Sequence, residues 1–154
     1  MEKNQEKQLV CGWEEFWGCC ETVAQAMINN HQSYTQAIAI VRGGYYLGDY
    51  LSRRFQIPLG VIATKSYSES NHQQEELIIG ELSWVQKPYG KILLVDDLVD
   101  TGITLKAIKN KLIQEYEVEV DTAVIWQKSH AQFQPDYYHS VTPSDCWIIQ
   151  PFEI

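Results

Sequence analysis

Three aspartates and two threonines lie close together in the middle of the chain, at Asp96, Asp97, Asp100, Thr101 and Thr104. Carboxylate oxygens accept hydrogen bonds from sugar hydroxyls and hold Mg²⁺ directly or through its waters. Hydroxyl groups and free backbone N–H groups instead bind phosphate. The spacing therefore predicts a ligand with a phosphate group and sugar hydroxyls near it.

An apolar run, residues 92–95, comes directly before Asp96. Such a run is typical of a strand buried on both faces of a parallel sheet, and ligands bind at the carboxyl ends of such strands. A helical pattern follows the threonines, and its start supplies N–H groups for the phosphate. Its apolar positions are Leu105, Ile108, Leu112 and Ile113. The structural alternative, in which these polar residues only cap a helix, needs one of them and not three acids.

At these residues the chain resembles the type I phosphoribosyltransferases. Their motif for 5-phosphoribosyl-1-pyrophosphate (PRPP) is an apolar strand, two acids and an acid-Thr-Gly-x-Thr loop, as in residues 92–104. The resemblance implies that Asp96 and Asp97 hold the ribose hydroxyls, and that Asp97 contacts Mg²⁺ or its waters. Asp100 would be the general acid or base that manages a purine proton near N7. The 5′-phosphate would bind at Thr101, Gly102, the Ile103 backbone and Thr104.

The composition favours a single globular domain, with 154 residues of which 45% are hydrophobic. Lys and Arg number 12 against 20 Asp and Glu, and the formal net charge of −8 disfavours a nucleic-acid partner. The polar residues 1–8 indicate neither a signal peptide nor a membrane anchor, so we expect a cytoplasmic protein without integral membrane association. We expect buried, reduced thiols at Cys11, Cys19, Cys20 and Cys146.

A second apolar run, residues 37–41, predicts a strand that ends at Arg42, Gly43 and Gly44. Glycines at this point let the backbone approach a ligand, and Arg42 brings a positive charge to the same sheet edge. A tight turn into a helix over residues 46–55 is the structural alternative. By the same resemblance, Arg42 and Gly43 would bind the leaving pyrophosphate, often through a strained peptide bond.

A strand predicted over residues 58–64 leads to Ser66 and Tyr67, and then to a polar run, residues 68–76. A solvated, mobile connector is the default interpretation of such a run. In the family a Ser-Tyr pair opens a flexible loop that closes over the reacting sugar, and Ser66 and Tyr67 stand at the corresponding place. The run ends in acids where the bacterial xanthine-guanine enzymes carry a basic residue.

Residues 118–127 predict a fourth strand of the same sheet, which ends at Lys128. Residues 145–151, Asp-Cys-Trp-Ile-Ile-Gln-Pro, resemble the hood of the 6-oxopurine members, closest to the bacterial xanthine-guanine enzymes. The resemblance implies that Trp147 stacks on the purine and that the Ile148 backbone meets its Watson–Crick edge. Lys128 would donate to the 6-oxo group. A buried structural tryptophan is the alternative for Trp147.

The resemblance covers most of the chain, and an apolar stripe that begins at Trp13 adds a core-facing helix. The implied fold is α/β, with a mostly parallel central sheet flanked by helices and a small C-terminal hood. The single domain would span residues 1–154, with the hood formed by about residues 129–154 and the N-terminal segment; residues 129–142 are expected to be irregular. Family members associate, so a homodimer or homotetramer is expected.

The implied activity is purine salvage: Mg²⁺-dependent transfer of phosphoribosyl from PRPP to N9 of guanine, xanthine or hypoxanthine. A non-catalytic regulator that keeps the PRPP loop as a sensor is an alternative, slightly favoured by Glu75, Glu76 and the short C-terminus. A transferase for adenine or a pyrimidine is disfavoured by Lys128 and Trp147. A receiver-type phosphoacceptor domain also clusters acids at strand ends, but it leaves the Thr-Gly-x-Thr loop unexplained.

Overall fold

The computed structural model describes residues 7–67 and 76–153. Within these ranges the chain forms three helices, α1 (Trp13–Asn29), α2 (Tyr45–Phe55) and α3 (Ile103–Tyr116), and none of them is long and apolar enough to cross a membrane. The ten strands of the same ranges are β1 (Lys7–Val10), β2 (Ala37–Val41), β3 (Leu59–Tyr67), β4 (Glu76–Ser83), β5 (Lys91–Val95), β6 (Leu98–Val99), β7 (Glu119–Ala123), β8 (Trp126–Lys128), β9 (Ser140–Thr142) and β10 (Cys146–Ile149).

The main sheet, as the described residues form it, has five strands in the order β4-β3-β2-β5-β7. β2, β3, β5 and β7 are parallel, and the edge strand β4 is antiparallel to β3. β2 lies between β3 and β5 and is buried along almost its whole length, which explains its all-apolar sequence. The predicted α/β fold with a mostly parallel central sheet is confirmed.

The two faces of the main sheet are covered by different helices. α1 and α2 cover one face, where Phe16 and Leu51 belong to the same buried cluster as Leu93 of β5. α3 covers the other face, where Ile108 belongs to a second buried cluster with Leu94. Neighbouring residues of β5 thus point to opposite faces, as the pleat of a strand requires. Residues 92–95 are buried on both faces, and the polar aspartates follow directly where this burial ends.

The strand predicted over residues 118–127 is wrong in its extent, because the chain changes sheets at residues 124–125. β7 pairs with β5, whereas β8 pairs with β6 and β9 in a separate sheet that has three strands in the described part of the chain. The main-sheet neighbour β5 has already ended at this point, and the Ile125 N–H donates to the Asp97 carbonyl at 2.9 Å. No strand was predicted at β1, β4, β6, β9 or β10, and β9 lies within the segment expected to be irregular.

The N-terminal and C-terminal segments meet in a small sheet in which β1 pairs in parallel with β10. Lys7 lies opposite Cys146 and Val10 opposite Ile149. The Cys11 N–H extends the pairing by donating to the Ile149 carbonyl at 2.9 Å. These backbone bonds hold β10 and the turn that follows it in a defined position.

All four cysteines lie within the described residues, and none of them is disulfide-bonded. Cys11 and Cys20 are buried as predicted, whereas Cys19 and Cys146 are only partly buried. Burial raises the pKa of Cys20 to about 12, so that this thiol stays protonated near neutral pH.

A partly buried polar cluster joins the end of α1 to the start of β5 and to β7. The Tyr34 hydroxyl donates to Asp121 Oδ2 at 2.6 Å, and Lys91 Nζ lies 3.0 Å from the same oxygen. Burial, followed by the bond to Asp121, raises the pKa of Tyr34, so the hydroxyl remains a neutral donor. Asn30 Nδ2 donates to the Tyr137 hydroxyl at 2.8 Å, and the Tyr137 and Tyr34 hydroxyl oxygens are 3.4 Å apart.

Tyr34→Phe removes the donor and keeps the ring. We expect the free energy of unfolding to fall by about 1 to 3 kcal/mol, because the Asp121 carboxylate loses a hydrogen bond in a partly buried setting. Urea unfolding measures the change, and Tyr89→Phe is the control because Tyr89 is 53% exposed. A loss no larger than that of the control would contradict the stabilising role of the Tyr34 hydroxyl.

Candidate active site

A cleft of about 720 Å³ opens at the carboxyl ends of β2, β3 and β5. Its lining combines segments that lie far apart in the sequence, because parallel strands bring their carboxyl ends to one edge of the sheet. The lining includes Arg42 and Gly43 after β2, Thr64 and Ser66 of β3, and Asp96, Asp97, Asp100, Thr101, Gly102 and Thr104 after β5.

The loop before α3 presents hydroxyl groups and backbone N–H groups to this first cleft. Gly102 comes directly before the helix and has a φ of 95°, a left-handed conformation that favours glycine. Thr101 Oγ1 accepts a hydrogen bond from the Ile103 N–H at 3.3 Å, and Thr104 lines the cleft. Gly102 has no side chain to cap α3, and the first-turn N–H groups beyond Ile103 therefore favour an anion at this point.

Asp96 and Asp97 follow β5 and have different surroundings. The Asp97 N–H donates to Asp96 Oδ1 at 2.9 Å, which holds the Asp96 side chain against the turn. Burial, and after it the neighbouring Asp97 carboxyl, raise the pKa of Asp96 well above its ordinary range. Asp97 Oδ2 accepts a hydrogen bond from Gln150 Nε2 at 2.6 Å. The second carboxylate is therefore held by a residue of the C-terminal segment.

The turn after β2 brings Arg42 and Gly43 to the first cleft. The Val41–Arg42 peptide bond is cis. A Cβ atom at Gly43 would collide with the Asp97 carboxylate, which would have to move to make room for it, so the turn after β2 and this side chain are in close contact. Arg42 thus adds a positive charge to a cleft that also holds aspartates, as expected for a site that binds phosphate groups and a cation together.

A second cleft, of about 700 Å³, adjoins the first. Both clefts are lined by Asp97, Leu98 and Asp100, so they meet at the loop after β5. The other wall of the second cleft comes from Lys128 at the end of β8 and from residues of β10. A ligand that occupies both clefts would pass beside Asp97 and Asp100.

The second cleft offers a cationic donor and an exposed aromatic ring. Lys128 is only 7% exposed, and its Nζ donates to the Cys146 carbonyl. Trp147 is 60% exposed, so the alternative of a buried structural tryptophan is wrong. Ile148 is buried and lies opposite Leu9 of β1. An indole face beside an ammonium group suits a flat ring that carries a hydrogen-bond acceptor.

Family comparison matches residues 19–154 to the phosphoribosyl transferase domain. The chain belongs to the phosphoribosyltransferase family. Xanthine-guanine phosphoribosyltransferase of Idiomarina loihiensis is 25% identical over 152 residues, which cover 98% of this chain and 90% of that protein. The structure of a purine phosphoribosyltransferase from Pyrococcus horikoshii has a TM-score of 0.80 at 24% identity, and the match covers 96% of this chain and 95% of that chain. Helicobacter pylori xanthine-guanine-hypoxanthine phosphoribosyltransferase has a TM-score of 0.82 at 24% identity, with 96% of this chain and 94% of that chain covered.

These matches confirm the predicted family and fold. The structure groups most of the predicted site residues of this phosphoribosyltransferase in two adjoining clefts, but Ile103 lines neither of them. Ser66, at the end of β3, lines the first cleft. Ile103 begins α3, where its N–H faces Thr101. Lys128, Trp147 and Ile148 line the second cleft, and Asp97 and Asp100 line both. The chemical role of each residue stays a prediction.

The predicted flexible loop lies mostly outside the described residues. Tyr67 is the last residue of β3, and its side chain is among the parts not described, as are residues 68–75. Glu76 was predicted to end the loop, but it begins β4. The closure of this loop over the first cleft therefore remains a prediction.

Two contacts in the phosphoribosyltransferase site involve residues for which sequence analysis predicted no role. Gln150 is 3% exposed, and besides donating to Asp97 it has a buried Oε1 without a hydrogen-bond partner among the described residues. His130 Nε2 lies 2.7 Å from Asp100 Oδ1. Gln150 belongs to the run 145–151 that resembles the family hood, so this resemblance could have identified it as a site residue. The pattern around His130 contains no comparable signal.

The carboxylates of the site fit a magnesium ion that is held mainly by a bound ligand. Among residues 7–67 and 76–153, no three His, Cys, Asp or Glu side chains are grouped so that they could hold a metal ion by themselves. Mg²⁺ commonly takes one or two carboxylates, keeps several waters and completes its shell with substrate phosphate oxygens. Asp96 and Asp97 suit this mode of binding, and a magnesium requirement stays a prediction.

The raised pKa of Asp96 predicts a stability cost that depends on pH. A carboxyl group whose pKa is higher in the folded chain binds more protons there, so stability falls as the pH rises above its unfolded pKa of about 3.9. Asp96→Asn is neutral at every pH and keeps an oxygen for the Asp97 N–H. We expect the Tm of this variant to exceed that of the wild type near pH 7, with a smaller difference near pH 4.

Thermal unfolding at both pH values measures this difference. Glu81→Gln is the matched control, because Glu81 is an exposed carboxylate on β4. A Tm difference between Asp96→Asn and the wild type that is the same at both pH values would contradict the assignment.

Proposed function

We propose that the protein transfers the phosphoribosyl group of PRPP to N9 of a 6-oxopurine and releases pyrophosphate, a reaction of purine salvage. The observation that carries the proposal is the junction of the two clefts at Asp97 and Asp100. One cleft offers groups suited to phosphates, and the other offers Lys128 and Trp147 to a flat base. The names of the relatives, which include xanthine and guanine, support a 6-oxopurine.

In the proposed complex PRPP occupies the first cleft. Asp96 and Asp97 accept hydrogen bonds from the ribose hydroxyls, and Arg42 and Gly43 bind the pyrophosphate. Ser66 and Tyr67 begin the loop that covers the sugar. The 5′-phosphate binds at Thr101, Gly102, the Ile103 N–H and Thr104.

The purine occupies the second cleft, where Trp147 stacks on its face and the Ile148 backbone meets its Watson–Crick edge. Lys128 Nζ donates to the 6-oxo group. An ammonium group has protons to donate and no acceptor, so a 6-amino group, itself a donor, offers this buried cation no acceptor, whereas a 6-oxo group does. The same Nζ donates to the Cys146 carbonyl, which holds the ammonium group at the wall of this cleft.

The reaction exchanges two bonds at C1′ of the ribose. The bond from C1′ to the pyrophosphate oxygen breaks and its electron pair leaves with the pyrophosphate, while N9 of the purine bonds to C1′. Positive charge develops on the ribose ring, as in other glycosyl transfers, and Arg42 stabilises the negative charge on the leaving group. Asp100 accepts the proton that leaves N7 of the purine. Asp97 would hold Mg²⁺, which would supply further positive charge to the pyrophosphate.

The proposal extends to the cellular setting of the protein. The net charge of −8 supports the absence of a nucleic-acid partner, and we propose a cytoplasmic enzyme.

We also propose a homodimer or homotetramer. Trp13 and Trp17 of α1 and Tyr45 of α2 are each at least 40% exposed, and such aromatic surface suits contact between copies.

Pyrophosphate release from PRPP and Mg²⁺ tests the proposal when guanine, xanthine, hypoxanthine, adenine and uracil are supplied separately. We expect release with one or more of the 6-oxopurines and none with adenine or uracil. Release with adenine or uracil but with none of the 6-oxopurines would contradict the roles of Lys128 and Trp147. If no base supports release while calorimetry detects PRPP binding, the protein is a PRPP sensor and not a transferase.

Asp100→Asn tests the proton acceptor. We expect kcat to fall by about 100-fold to 10,000-fold, the usual contribution of general acid–base catalysis, with little change in the Kd of PRPP. Steady-state kinetics and calorimetry measure the two quantities. Asp49→Asn is the control, because it removes a carboxylate of α2 outside both clefts. A loss of PRPP affinity as large as the loss of kcat would contradict the assigned role.

A further inference from the structure

His130 contacts the proposed proton acceptor from outside the clefts. Its Nε2 lies 2.7 Å from Asp100 Oδ1, and the neutral tautomer protonated at Nε2 and the imidazolium both present an N–H at that atom. Asp100 lines both clefts, whereas His130 is not among the described residues that line either of them. The side-chain contact that connects His130 to the clefts is the one with Asp100.

Backbone hydrogen bonds fix the segment that carries His130. The Ala131 N–H donates to the Lys128 carbonyl at 3.0 Å and closes a turn around His130. The Gln132 N–H donates to the Thr101 carbonyl, also at 3.0 Å. His130 is thus held between the lysine of the second cleft and the phosphate-binding loop of the first.

Phe133 packs the same segment against the loop before α3. A Cβ atom at Gly102 would collide with Phe133, so the two segments are in close contact. Lys109 Nζ lies 5.9 Å from the centre of the Phe133 ring, within reach of a cation–π interaction. These contacts fix the backbone from which the His130 side chain reaches Asp100.

Stability does not account for the contact between His130 and Asp100. The two side chains are 40% and 67% exposed, and pairs in such settings contribute little to folding. The contact does restrict the Asp100 side chain, which would otherwise sample several rotamers in an exposed loop. With His130 at Oδ1, Oδ2 is the less hindered oxygen for a ligand in the clefts.

We propose that His130 is the positioning residue for Asp100 in the transferase reaction, an inference that rests on the proposed function. His130 donates its Nε2–H to Oδ1 and directs Oδ2 at N7 of the purine. The N7 proton moves to Oδ2 and its bonding electron pair stays in the purine ring, while the C1′ bond to pyrophosphate breaks and the N9–C1′ bond forms. His130 orients the acceptor and exchanges no proton with the substrate.

His130→Leu and His130→Gln test this proposal by steady-state kinetics. We expect His130→Leu to lower kcat by about tenfold or more, a part of the roughly 100-fold to 10,000-fold effect of general acid–base catalysis, without raising the KM of PRPP. His130→Gln keeps an N–H donor at the end of its side chain and should recover much of the lost kcat. His139→Leu is the control, because His139 is an exposed histidine just before β9 and outside both clefts.

The Asp100→Asn background separates positioning from packing. If His130 acts through Asp100, adding His130→Leu to Asp100→Asn should lower kcat little further. An equal loss of kcat in both backgrounds, or a raised KM of PRPP together with a lower Tm, would overturn the inference. Full activity of His130→Leu would overturn it too, with the transferase function intact. A wild-type protein that releases no pyrophosphate with any base would overturn both the function and this inference.

Discussion

The rest of the site depends on the contacts that the Asp97 carboxylate makes with Gln150 and Gly43. This carboxylate follows the buried strand β5, it accepts a hydrogen bond of 2.6 Å from Gln150, and it lies so close to Gly43 that a Cβ atom there would collide with it. One carboxylate therefore touches the turn after β2 and the segment after β10. A displacement of either segment would change the cleft that the other one lines.

Concentrating acids at one edge of the sheet carries an electrostatic cost. Burial and the neighbouring Asp97 carboxyl raise the pKa of Asp96, which means that its charged form is disfavoured in the folded chain. Local hydrogen bonds offset part of this cost, since the Asp97 N–H donates to Asp96 and Gln150 donates to Asp97. Sites that bind charged ligands commonly keep such local conflicts, because the ligand relieves them when it binds.

The segment from Lys128 to Phe133 connects the two clefts. It begins with the ammonium group of the second cleft, passes His130 beside Asp100, and ends on the loop that lines the first cleft. The Gln132 N–H donates to the Thr101 carbonyl and so holds this segment against the loop before α3. The two clefts are thus linked through a few consecutive residues as well as through the sheet.

The elements that could be predicted from the sequence are those whose signals are local. Apolar runs located β2 and β5, and the acids and threonines from Asp96 to Thr104 indicated the ligand site, because these patterns reflect burial and backbone chemistry within a few residues. Residues 118–127 continue as one apolar pattern without proline or glycine, so their division between two sheets was decided by where β5 ends. The contacts of Gln150 with Asp97 and of His130 with Asp100 likewise exist only in the tertiary structure. They join side chains from separate turns, and no spacing along the chain specifies which turns meet.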